Sequence, residues 1–202
     1  MPTTVQDILK RTWRPPLNTT ILPADHDKHY KPWGFVLYRT CYSPASEPQW
    51  HALLASISSA VLAELGRCRQ RGEDPDAVAR VEGAFTLDVR SDPTLLDSLA
   101  MDEVCALFRA ETGNSVAEMR ERLIPHTLIF LLADGEVLEN VAEGVVKVVQ
   151  AAPGENADPE DYCQWMRVHA WGLVEMWVLL GVFEGQLFDL MDDEGPGALW
   201  TV

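Results

Sequence analysis

An arginine in a run that otherwise reads as a buried strand is where chemistry is first to be sought. In Trp33-Gly34-Phe35-Val36-Leu37-Tyr38-Arg39-Thr40-Cys41-Tyr42, alternation puts Trp33, Phe35, Leu37, Arg39 and Cys41 on one face. The other face carries Gly34, Val36, Tyr38, Thr40 and Tyr42. Neither is plainly polar, so the strand is expected to be central and covered on both sides. A buried guanidinium needs a partner, because an unpaired buried charge is too costly to keep. Arg39 is therefore either the anchor of a structural ion pair or part of a polar site. Asp88, in the middle of Phe85–Arg90, is the natural partner if the two strands are neighbours.

His169 is the second candidate. Helical spacing from an Asp158-Pro159 start places Tyr162, Trp165, Met166, His169, Leu173 and Trp177 on one face of a last helix. A histidine among such residues is either a satisfied core group or, facing a cavity, an acid or base beside a flat apolar ligand. On the functional reading the catalytic candidates are Arg39, His169 and Tyr38, and the ligand-binding ones are Trp33, Tyr162, Trp165, Trp177 and Asp88. His126 is a further polar residue, at the start of an apolar run. Seven tryptophans serve either as cover for the sheet or, in part, as pocket walls around Trp33, Trp165 and Trp177.

Other chemistries lack their signatures. The chain has no phosphate-cradling glycine loop, no G-x-S-x-G elbow and no H-E-x-x-H helix. Asp25-His26-Asp27-Lys28-His29 has an H-x-x-H spacing, but it lies in a proline-rich arm beside a lysine with no distant third ligand, so a solvated loop is expected and no metal is assigned. No cofactor is assigned either. Cys41, Cys68, Cys105 and Cys163 are far apart; Cys41, Cys105 and Cys163 sit in apolar patterns and are expected as buried free thiols, with no disulfide framework.

Composition bounds the rest. A chain of 202 residues, 47% hydrophobic and 23% charged, suits one soluble domain with a full core. A net charge of −15 and a pI near 4.6 argue against nucleic acid and anionic membranes as partners. Gly172–Phe183, the most hydrophobic run, is too short to span a bilayer and contains Glu175. The opening residues show no apolar signal segment, so a cytoplasmic protein is expected. A homodimer is compatible with these features.

Residues 1–32, with five prolines, read as an N-terminal arm holding a short helix near Val5–Thr12. A capping box at Ser46 and Gln49 opens a helix whose stripe runs Trp50, Leu53, Leu54, Ile57, Val61, Leu62 and Leu65, ended by Gly66 and Gly72. A polar loop follows through Ala77. Then come a half-buried strand at Phe85–Arg90, helices near Met101–Glu111 and Ser115–Pro125, and a strand at Thr127–Ala133. Asp134-Gly135 reads as a turn before a strand at Val145–Val149. The order β-α-β-α-α-β-β-α suggests an α+β fold over residues 33–188: a mostly antiparallel sheet packed by helices, ferredoxin-like with added elements. Residues 189–202 read as an acidic tail.

Trp33–Thr40, the loop through Pro48 and the helix opened by Trp50 resemble a large family of fungal proteins that share a W-G-F/W-x-I/V-Y-R-T strand. Phe85–Asp92 is similar to that family's next strand, and Asp102, Val104 and Phe108 to its following helix. The resemblance covers most of residues 30–110. It implies a fungal intracellular protein and carries no catalytic residues. Two functions are weighed: an enzyme or carrier, needing no cofactor, for an apolar small molecule (an isomerase, cyclase or pericyclase of secondary metabolism), or a non-enzymatic interaction module with an acidic surface.

Overall fold

Thr4 and Asp7 start the first helix by satisfying each other's backbone: the Asp7 N–H donates to Thr4 Oγ1 at 3.2 Å, and the Thr4 N–H to the Asp7 carboxylate at 3.1 Å. This helix, α1 (Val5–Thr12), buries Val5, Ile8 and Leu9 on one stripe. It belongs to a computed structural model that describes residues 4–16, 19–112, 129–151, 163–182 and 197–200. After a 3-10 segment at Pro23–His29 come β1 (Trp33–Arg39) and the long α2 (Ser46–Gln70). The expected stripe of α2 is buried at Trp50, Leu53, Ile57, Val61 and Leu65, while Leu62 is exposed.

Local signals around α2 were partly misread. Gly66 does not end the helix, which runs on to Gln70. Ser46 closes no capping box; its hydroxyl donates instead toward the Ser43 carbonyl at 2.7 Å. The stretch expected as a loop through Ala77 opens another helix, α3 (Pro75–Ala84), with Asp74 accepting from the Asp76 N–H and proline in the first turn. Then follow β2 (Phe85–Arg90), the single turn α4 (Pro93–Leu96), α5 (Met101–Thr112) and β3 (Ile129–Ala133). Asp134 is no hairpin turn. It caps the short α6 (Gly135–Glu139), and β4 (Val145–Ala151) follows a 3-10 turn.

The largest correction concerns the last helix. Cys163–His169 is a strand, β5, paired antiparallel with all of β4, from Val145 opposite His169 to Ala151 opposite Cys163. Met166 and Val168 are buried on one face, and Trp165, Arg167 and His169 alternate with them. Trp165 and His169, four apart, suit a helix stripe; with Arg167 between them they share one face of a strand equally well, and pairing with β4 decides. The helix, α7 (Leu173–Val182), starts only after a 3-10 turn at Ala170–Gly172. Leu199–Trp200, in the stretch expected as tail, forms β6 beside β5. The helix expected at Ser115–Pro125, His126, Tyr162 and the Asp158 start lie outside the described residues.

The sheet runs β2-β1-β3-β4-β5-β6. β1 pairs parallel with both β2 and β3, and β5 with β6; only β3–β4 and β4–β5 are antiparallel. The fold is thus a mixed six-stranded sheet packed by helices, not the mostly antiparallel one expected, and its order does not confirm a ferredoxin-like topology. Parallel neighbours need long crossovers, and the helices supply them.

Both faces are covered. Trp33, Phe35 and Leu37 point into a large core shared with α1, α2, α3 and α7. Tyr38, Phe130, Leu132 and Val149 point the other way, against Val104, Cys105 and Phe108 of α5. Cys105 and Cys163 were expected as free thiols, but they form a disulfide joining α5 to β5, with Cα atoms 6.6 Å apart. Both residues pack in this second core, which brings together cysteines 58 residues apart in sequence. Cys41 and Cys68 take no part in a disulfide. Among the described residues no helix is long and apolar enough to cross a membrane.

Candidate functional site at the carboxyl edge of the sheet

The chain leaves β1 through α2 and α3 on one face to reach β2; α4 and α5, which follow β2, pack on the opposite face, and β3 lies on the other side of β1. Around β1 and β3 the strand order reverses, since the chain leaving β1 runs to β2 on one side and the chain leaving β3 to β4 on the other; open sheets bind ligands outside the carboxyl ends of such a pair. Three loops meet at that edge. The Thr40 N–H donates to the Ala133 carbonyl at 3.1 Å, and the Ser98 N–H to the Thr40 carbonyl at 2.8 Å. The free Cys41 thiol lies 4.0 Å from where a side chain on Gly135 would begin. The Tyr42 hydroxyl donates to the Arg39 carbonyl at 3.0 Å, and burial raises its pKa.

Two buried cations frame the edge. Arg39, 3% exposed, donates to the Cys41 carbonyl (2.9 Å), Ser46 Oγ (3.1 Å) and Glu47 Oε2 (2.7 Å), and lies 4.5 Å from the Tyr42 ring centre and 5.3 Å from that of Trp50. Its hydrogen bond holds the Glu47 carboxyl below its ordinary range. Lys147, 5% exposed, lies on the other face, where its ammonium donates at 2.6 Å to both Asp134 and Glu136, 4.8 Å from the Trp165 ring centre. Burial works against this charge, but the two carboxylates outweigh it and lift the Lys147 pKa. Asp134 is doubly committed, since its other oxygen accepts from the Val137 N–H at 3.0 Å. The Glu136 side chain is 56% exposed.

The residues singled out in the sequence do not gather into one site. Arg39 faces a carboxylate, but it is Glu47, not Asp88. Val36 is opposite Asp88 in the β1–β2 register, so Asp88 shares the Val36 face and Arg39 points to the other. Asp88 pairs with Arg90 at 2.8 Å. Tyr38 is buried and donates to Glu111 Oε2 at 2.7 Å; burial and that bond raise its pKa far above the ordinary range, which keeps the phenol protonated. Trp33 and Trp177 pack together in the large core at 5.3 Å, with Trp33 Nε1–H donating to the Val81 carbonyl at 2.7 Å. Trp165 lies on the opposite face, so these three tryptophans line no common pocket. His169 stacks on Trp171 at 5.5 Å at the end of β5. His26, of the H-x-x-H segment, stacks on Trp13 at 5.1 Å, and Asp27 pairs with Arg80.

Sequence reasoning overlooked Lys147, Asp134 and Glu136. The signal was present: Lys147 interrupts Val145-Val146-Lys147-Val148-Val149 as Arg39 interrupts β1, and the same argument about buried charge applies to it. Among the described residues no three His, Cys, Asp or Glu side chains gather as a metal site. Comparisons with protein-family models, curated proteins and solved structures found no match in any of the three.

Proposed function

We propose that this protein transforms or carries a small molecule with an apolar body, bound at the carboxyl edge of β1 and β3 rather than among the core tryptophans. The observation that carries this reading is the reversal of strand order between β1 and β3, whose chains leave in opposite directions along the sheet, the arrangement in which open sheets bind ligands. The groups at hand suit acid–base work. The Glu136 carboxylate is accessible and is held against the buried Lys147 ammonium, with Tyr42 and Cys41 across the edge. Isomerase or cyclase chemistry in fungal secondary metabolism is the context we assign, following the likeness of Trp33–Thr40 to fungal proteins.

Lipophilic metabolite extracts, screened for thermal stabilisation and product change, test the reading when combined with thiol labelling of Cys41. A ligand of this site raises the melting temperature and slows labelling at Cys41, while Glu136→Gln removes the product change and leaves the melting temperature alone. Absence of any stabilising fraction sinks the proposal, and stabilisation with unchanged Cys41 labelling moves the site elsewhere. The interaction-module reading has one observation in its favour: Leu95, 66% exposed, sits in a stretch with Asp92, Asp97, Asp102 and Glu103 and no basic residue.

A further inference from the structure

β2 ends the sheet, and among the described residues nothing pairs with its outer edge. Its hydrogen-bonding direction can be read from Gly34: the Thr86 carbonyl oxygen points at β1, 1.9 Å from where a Cβ on Gly34 would stand. In a parallel pair alternate residues turn their N–H and C=O to the same neighbour. Thr86, Asp88 and Arg90 therefore bond toward β1, and Leu87 and Val89 present N–H and C=O outward. Edge strands of this kind are templates for another strand unless something blocks them.

The sequence of this edge is its own complement. We infer that two copies of the chain join through β2, antiparallel about a twofold axis at Val89. In that register Val89 faces its own copy, and each copy's Asp88 lies opposite the other's Arg90. Because Val89 bonds outward, the Val89 pair exchanges the hydrogen bonds and the Asp88–Arg90 positions become the non-bonded pairs, whose Cα atoms come within about 4.5 Å and whose side chains are closest. Three further observations fit. Val89 is 39% exposed although it is a large apolar residue in a strand. The Asp88 and Arg90 side chains are 34% and 44% exposed and lie on one face, already 2.8 Å apart within one chain. The strand itself is electrically neutral, with one Asp and one Arg, in a chain of net charge −15. A symmetric contact of this kind uses the same patch twice and closes at two copies.

Charge exchange tests the register, read by sedimentation velocity over a concentration series. Asp88→Arg alone and Arg90→Asp alone each set like charges opposite one another, and each is expected to weaken self-association about tenfold or more. Mixing those two variants in equal amounts restores pairing, as a heterodimer in which every Asp meets an Arg. The double variant Asp88→Arg/Arg90→Asp pairs with itself as the wild type does, which separates lost contact from lost folding. A wild-type chain that stays monomeric up to about 1 mM overturns the inference. So does a dimer that survives both single exchanges, because its contact would lie away from β2.

Discussion

Arg39 and Lys147 are both cations buried to within a few per cent, near the same edge of one sheet, yet they are held in opposite ways. Arg39 is caged: a backbone carbonyl, a buried hydroxyl and one carboxylate satisfy its fork, and two aromatic rings flank it. Lys147 has two carboxylates and one ring, and one of those carboxylates is largely in water. A planar guanidinium uses directional bonds to fix the loop after β1 against the start of α2, whereas the ammonium is a point charge balanced by two carboxylates, of which Glu136 is open to water. The difference separates a fully enclosed charge from one whose partner is open to water, although both interrupt apolar strands in the same manner.

Replacing each cation by methionine measures the contrast. Arg39→Met removes three hydrogen bonds and two ring contacts, and leaves the Ser46 and Cys41 acceptors short of a donor. A loss of about 3 kcal/mol in urea titration is expected, at roughly 1 kcal/mol for each bond. Lys147→Met frees Asp134 and Glu136 to turn toward water and offers Trp165 an apolar neighbour. Here the expected loss is about 1 kcal/mol, because Asp134 and Glu136, 26% and 56% exposed, keep access to water and neither is left as an unpaired buried charge. Equal losses in the two variants would erase the distinction drawn between them.

The smallest effect at neutral pH lies in two buried neutral groups, one in each core. Burial pushes the Cys68 thiol, in the large core, up to about 11 from 9.0, and the Tyr38 phenol, in the second core, is raised from 10.0. A group whose folded pKa is raised contributes fully below its unfolded value and loses that contribution as pH rises toward the folded one. Stability should therefore be level near pH 7 and fall from about pH 9 upward, first through Cys68 and then through Tyr38. Cys68→Ala should flatten the slope between pH 9 and 10, and Tyr38→Phe the slope above 10, in denaturant midpoints measured against pH. A profile unchanged by both substitutions would show that neither group governs the alkaline limb.

How far the sequence was legible depended on whether a signal was local. α1, β1, β2, α5 and β4 stand close to where short-range signals place them, because the pattern and the flanking turn residues of each lie within one window. α3 opens on Asp74-Pro75-Asp76, the same kind of start signal as Asp158-Pro159, but its polar opening also reads as a loop, and only the buried Ala77, Val78 and Val81 decide for a helix. β5 was mistaken for a helix because alternate and helical spacing coincide at four residues. What decided it was pairing with β4, information that no short window contains. The candidate site was legible in its parts and not in its assembly. Arg39 was found and Lys147 passed over, and the partner of Arg39 was misassigned because strand register sets which face Asp88 occupies.

Gly34 carries a consequence for what variation the gene can accept. Its φ of +135° and the Thr86 oxygen pressed against it mean that any other amino acid would both strain the backbone and push β2 away from β1. Gly66 and Gly83, on helices with open space around them, face no such obstacle. Sequences descended from this one can drift at 66 and 83, while at 34 a single codon change to anything else costs the strand that closes one side of the sheet.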